Sequence, residues 1–208
     1  LSSSDGIILD KTNPVIDGVS PQIKLNPSSN KQKKDLNGNV LYNGDVIVDY
    51  LISDPIVTET CSGLDASKLY YEVTNNGEIT QSGILEGKTS VYEGHIRSLS
   101  GQIRVDASLN NSNNVKLKVS AVDNASNASS SACNLRIDIT APEVSVNYAN
   151  NNVVGDGFFN ANRTATITIR ERNFNSNKVV VKMTKDGVAQ KLNLKWNNSG
   201  QATSDDYT

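Results

Sequence analysis

The sequence predicts an all-β protein, antiparallel sheets packed face to face. Three observations carry that reading. Apolar and polar residues alternate at period two through most of the chain, the pattern of a strand with one buried and one wet face. Strand-like runs are separated by turn dipeptides, Asn37-Gly38, Asn43-Gly44, Asn76-Gly77 and Asp186-Gly187, which tolerate positive φ and suit hairpins. The chain is rich in Asn, Ser, Thr and Val, which weaken helices or favour a pleated surface, and no helical period extends over ten residues.

Taken in order, Val46, Val48, Tyr50 and Ile52 share one face of a first strand. Leu69, Tyr71 and Val73 form a second set, and Ile103, Val105 and Ala107 a third. Val115, Leu117, Val119 and Ala121, alternating with Lys116, Lys118 and Ser120, give the clearest strand. Leu135, Ile137 and Ile139 follow. The pattern resumes with Val144, Val146 and Tyr148, then Ala165, Ile167 and Ile169. Val179, Val181 and Met183 are expected to form one more strand, and Leu192, Leu194 and Trp196 the last.

Composition excludes several functions. Charged residues make up 20% of the 208 and the net charge is −2, so there is no electrostatic footprint for nucleic acid or an anionic membrane. No apolar stretch approaches the ~20 residues of a membrane-spanning helix. Residues 1–10 lack a basic region followed by an apolar one, so an export signal is expected to lie upstream or to have been removed.

The most informative feature is a repeated phrase. Asp10-Lys-Thr-Asn-Pro14-Val-Ile16 and Asp138-Ile-Thr-Ala-Pro142-Glu-Val144 share the pattern D-x-T-x-P-x-(I/V). Proline interrupts a hydrogen-bond ladder and biases the residue before it toward extended geometry. Each phrase reads as a stiff junction where one module ends and the next begins. Residues 1–9 would then be the tail of a preceding module, 10–140 a complete one, and 141–208 a partial one, short beside the ~100 residues of a seven-stranded sandwich.

The run Ala121-Val-Asp-Asn-Ala-Ser-Asn127, followed by Cys133 through Thr140-Ala-Pro142, resembles the last hairpin and linker of bacterial immunoglobulin-like tandem repeats. In those repeats A-x-D-x-A-G-N precedes a final strand ending in D-x-T-A-P; here Ser126 stands at the glycine position. The run from Phe158 to Ile169 and Asn173-Phe174-Asn175 are similar to repeats of large surface proteins of Gram-positive gut bacteria. The resemblance implies tandem immunoglobulin-like β-sandwiches, the second incomplete, in an extracellular or cell-wall setting. It implies no ligand.

The surroundings of Cys61 and Cys133 are similar to the half-cystine sites of hyalin-repeat domains. Two readings stand: a structural disulfide clamping a long loop to the last strand, expected from the extracellular setting and the strand-end positions, or two buried thiols. Two Cys and the single histidine, His95, cannot close a tetrahedral zinc site. His95 reads as a surface residue. Glu72, Glu86 and Asp106 read as solvated carboxylates rather than a glycosidase pair, and Asp205-Asp206 reads as exposed. Asp10, Asp123, Asp138 and Glu143 are the weak calcium candidates, because they fall near the junctions; no EF-hand spacing supports them. Trp196, Tyr148 and one of Phe158-Phe159 are expected in core packing rather than on a ligand platform; the two phenylalanines cannot both face inward on a regular strand, so the other is expected to be exposed. No cofactor is expected.

The expected function is therefore a non-catalytic stalk, spacer or adhesion segment of a bacterial surface protein, its partners being neighbouring modules of the same polypeptide. The alternative is a module binding a host glycan or protein, or one accessory to a secreted carbohydrate-active enzyme. Binding would use residues 28–43 and the loop around Cys61.

Overall fold

A computed structural model of the chain describes residues 11–17, 23–25, 33–35, 37–56, 59–149, 162–197 and 200–203. These residues are all-β, with two single-turn 3₁₀ helices. The chain divides between Ile139 and Thr140 into two compact units, the segment Asp35–Asn37 grouping with the second.

The first unit has two large antiparallel sheets and one small hairpin. In one, β5 (Val46–Ser53) is central. It pairs on one side with β9 (His95–Val105), which carries β8 (Lys88–Tyr92) at its far edge. On the other side β5 pairs with two short pieces in turn, β1 (Val15–Asp17) and β2 (Ile23–Leu25). The second sheet runs β11 (Ala128–Leu135), β10 (Val115–Val122), β6 (Tyr70–Asn75), β7 (Glu78–Ile84).

The alternation explains how the sheets meet. Val46, Val48, Tyr50 and Ile52 of β5 point inward, with Leu99, Ile103 and Val105 of β9. They meet Val73, Val115, Leu117, Val119, Ala121 and Leu135 from the other sheet in one buried cluster. Lys116 and Lys118 face solvent. Between Leu99 and Ile103 the inward position of β9 is Gly101, opposite Tyr50; a Cβ there would lie 2.7 Å from the Tyr50 hydroxyl oxygen. The phenol spans the space this glycine leaves and donates to the Glu86 carbonyl at 2.8 Å. Burial, and secondarily the nearby Glu86 charge, raises the Tyr50 pKa.

Two of the four turn dipeptides read from sequence close hairpins with both residues left-handed, whereas at Asn37-Gly38 and Asn43-Gly44 only the glycine has positive φ, and Asn43-Gly44 links β4 (Val40–Leu41) to β5 without a hairpin. Asn76 and Gly77 have φ of 52° and 92°, Asp186 and Gly187 51° and 78°. Such paired left-handed residues match the twist of the flanking strands. The turn Glu93-Gly94, before His95, has the same form without an Asn or Asp to announce it.

In the second unit, β12 (Glu143–Tyr148), β13 (Ala165–Arg170) and β16 (Gln201–Thr203) form one sheet. β14 (Met183–Lys185) and β15 (Val188–Gln190) form a separate hairpin. Ile167, Ile169 and Ala202 are buried, whereas Val144, opposite Ile169 and on the same face, is 63% exposed. Two expected strands are corrected. Val179 and Val181 precede β14 in irregular chain, and Leu192, Leu194 and Trp196 also lie in irregular chain. Alternation makes a strand only where a partner edge takes the ladder, and neither stretch pairs among the described residues.

Candidate functional site

Two places in the first unit gather polar groups, and both draw on loops expected to carry function. The first is the loop around Cys61. β5 ends at Ser53, and Asp54 follows fully buried, its backbone held by N–H donation to the Arg97 carbonyl at 2.8 Å. The Asp54 carboxylate accepts from the Gly63 backbone N–H at 2.6 Å and from the Ser62 hydroxyl at 3.4 Å. Gly63 has φ 79°, and a Cβ on it would lie 2.6 Å from the His95 Cβ. The buried acid thus pins a loop pressed against the start of β9. Sequence reading missed Asp54, because Asp-Pro reads equally well as a solvated loop.

Asp123 organises the neighbouring turn. It is buried and accepts from the Asn127 backbone N–H and side-chain Nδ2, both at 2.8 Å. Ser126 sits there with φ 69°, the left-handed geometry that glycine adopts without strain. The serine therefore keeps the turn and carries the strain.

The expected disulfide is corrected: Cys61 and Cys133 are both buried and form no disulfide. Cys133 lies opposite Leu117 in the β10–β11 ladder. Leu64 bridges Asp123, while Asn124 donates to the carbonyls of Gly63 and Ser62. Going back from Leu64 to Cys61, the chain runs past the end of β10, away from Leu117. Leu117 lies six residues before Asp123, about 20 Å of strand at ~3.3 Å per residue. A disulfide needs Cα atoms within about 7 Å. Burial raises the Cys133 thiol to about 11, so it stays protonated and unreactive at neutral pH.

The calcium candidates do not assemble. Asp123 is committed to Asn127, Asp138 is half-buried, and Glu143 is exposed 3.9 Å from Arg170. Asp10 lies outside the described residues. No group of three or more carboxylate, His or Cys side chains that could hold a metal occurs among the described residues. Of the junction residues, Pro14 is buried just before β1 and Pro142 is exposed just before β12.

The other singled-out residues sit apart. His95 is exposed at the start of β9. Asp106 accepts from the Ser108 hydroxyl and N–H, which hold its pKa low. Trp196 lies against Phe174, ring centroids 5.6 Å apart, and the Arg163 guanidinium lies 4.5 Å from the centre of the Tyr148 ring. Phe158, Phe159, Asp205 and Asp206 lie outside the described residues.

The second place lies at the other end of β11. β3 (Lys33–Lys34) and β4 (Val40–Leu41) form a small hairpin. Beyond it Tyr42 makes a parallel bridge to Ile137, donating its N–H to the Arg136 carbonyl at 2.9 Å. A half-open cleft of about 490 Å³ forms beside this seam. Its described lining is Asn39, Asn113, Asn114, Asn134 and Arg136, with Val40 and the buried Tyr42 and Val115. Asn134 and Arg136 are two apart on β11 and its continuation, hence on one side of the chain. Sequence reading named the 28–43 segment but none of the other wall residues; three distant segments meet here, and only the richness in Asn hinted at them.

The fold and these placements define an all-β protein whose first unit packs two antiparallel sheets about one core. No family model matches the chain, and no curated protein and no solved structure matches it.

Proposed function

We propose that the chain is a non-catalytic part of a tandem immunoglobulin-like array in an extracellular or cell-surface bacterial protein, serving as a spacer or adhesion segment. One observation carries this reading: among the described residues, the elements of the second unit follow the order of a subset of the first unit's elements, without counterparts to β2–β4, β8, β10 and β11. In each, a proline precedes a strand (β1, β12) that pairs antiparallel with the next long strand (β5, β13). A single-turn 3₁₀ helix follows, Ala66–Lys68 or Ser176–Lys178, capped by the side chain of Asp65 or Asn175. Then comes a hairpin turned at Asn76-Gly77 or Asp186-Gly187, and a strand returning to the long one (β9, β16). Two copies of one ordered set are the mark of a module array. The strand orders β1-β5-β9-β8 and β11-β10-β6-β7 agree with the immunoglobulin-like sandwich.

A spacer is defined by what it can be exchanged for. Replacing residues 11–139 of the intact protein with an unrelated β-sandwich of similar size should preserve whatever the intact protein does. Loss of attachment or binding would contradict the spacer role and favour adhesion. Antibody to the first unit should label intact cells of the source; labelling only after lysis would contradict the extracellular setting.

A further inference from the structure

We propose that Asn37-Gly38 is a modification site, the step at which the folded chain deamidates spontaneously and faster than at its other Asn-Gly pairs. Asparagine is a thermolabile residue, and its reactivity is set by the residue that follows it. The backbone nitrogen of that residue attacks the carboxamide carbon. A new C–N bond closes a succinimide ring, and the carboxamide nitrogen leaves as ammonia. Water then opens the ring at either carbonyl, giving aspartate or isoaspartate. Water is the one co-reactant, and no electrons change hands. Glycine in the following place favours ring closure, because no Cβ shields the attacking nitrogen or restricts the backbone.

The chain has three such pairs, Asn37-Gly38, Asn43-Gly44 and Asn76-Gly77, and all three asparagines are exposed. Exposure does not separate them; their hydrogen bonds do. Asn76 is held at both ends. Its Nδ2 donates to Asn75 Oδ1 at 3.1 Å, its Oδ1 accepts from Asn114 Nδ2 at 3.3 Å, and its backbone N–H donates to the Asn114 carbonyl at 3.0 Å. Asn43 lies between two fixed neighbours. Tyr42 donates to the Arg136 carbonyl at 2.9 Å and accepts from the Asp138 N–H at 2.8 Å. The Asp45 carboxylate accepts from Arg104 Nε at 2.6 Å and from the Ala107 N–H at 2.9 Å.

Asn37 is the least restrained. Among the described residues its one hydrogen bond runs from its backbone N–H to Asp35 Oδ1 at 2.8 Å, which leaves the carboxamide free to swing. Gly38 makes none, and a Cβ built on it would meet nothing within 4 Å, so the attacking nitrogen is neither tied nor crowded. The product sets a new carboxylate beside Asp35 in the connection between β3 and β4, making the net charge one unit more negative than −2. As isoaspartate it also lengthens that connection by one backbone atom.

The test is to age the full chain in mildly alkaline buffer, folded and in parallel in urea. Peptide mapping with electron-transfer fragmentation then reads aspartate and isoaspartate at each pair. In the folded chain Asn37 should convert first, and Asn76 about tenfold or more slowly, because its bonds must open before it reacts. In urea those bonds are gone, and the three rates should converge to within about threefold. Gly38→Ala, at an open turn, should slow Asn37 about tenfold or more and leave Asn43 and Asn76 unchanged. Asn43 or Asn76 converting as fast as Asn37 in the folded chain overturns the proposal. So does an Asn37 that stays intact in the folded chain, or a Gly38→Ala chain in which Asn37 converts at the original rate.

Discussion

The Asp54 carboxylate and the Gly63 backbone nitrogen lie 2.6 Å apart, across a loop that carries Cys61. Asp54 is fully buried, so the bond is made in the interior, where losing one partner costs the desolvation of the other. Asp54→Ala should lower stability by about 2–3 kcal/mol. It should also speed amide exchange at Gly63 and Leu64 beyond that global loss. Urea unfolding and hydrogen exchange measure the two effects.

At Ser126 the opposite change should stabilise. An L-residue in the left-handed region is strained by roughly 1–2 kcal/mol, against about 0.5–1 kcal/mol of extra chain entropy for glycine. Ser126→Gly should therefore raise stability by about 0.5 kcal/mol, read as a higher urea midpoint. A lower midpoint would mean that the serine is held by something other than the turn.

Leu117 is fully buried at the centre of β10, between β11 and β6. Leu117→Ala should cost about 2–5 kcal/mol through lost burial and the cavity left behind. Lys118→Ala, one residue on and facing solvent, should change stability by less than about 0.5 kcal/mol. Reversed costs would mean that β10 is out of register by one residue.

Cys133 gives a pH dependence with a definite sign. Its pKa is raised from 9.0 to about 11, so in that interval the unfolded chain releases a proton that the folded chain keeps. Its contribution is therefore intact below pH 9 and falls as pH rises toward 11, by roughly 2–3 kcal/mol in all. Tyr50, also raised, acts in the same direction at higher pH. Cys133→Ala should flatten the alkaline limb by the cysteine's share, and thiol titration should find two slow thiols that both react once the chain is unfolded.

How far the fold could be read depended on whether the information was local. The inward row Val115, Leu117, Val119, Ala121 was legible because a half-buried strand writes its burial into alternate residues. Asn76-Gly77 and Asp186-Gly187 were legible because positive φ selects those residues. Val179–Val181 and Leu192–Trp196 misled, since alternation does not reveal whether a partner edge exists. The Cys61–Cys133 pairing misled for a related reason: it depends on the register of Leu64 against Asp123, which neither cysteine's neighbourhood encodes. The cleft was illegible because its asparagines come from three separate segments.

Both large sheets and the whole core of the first unit lie before the Ile139–Thr140 boundary. Equilibrium urea unfolding of a chain ending at Ile139, followed by far-ultraviolet circular dichroism, tests it most directly. One cooperative transition is expected, which Leu117→Ala shifts to lower urea, as it does in the full chain. A gradual, non-cooperative loss of signal, or indifference to Leu117→Ala, would contradict it.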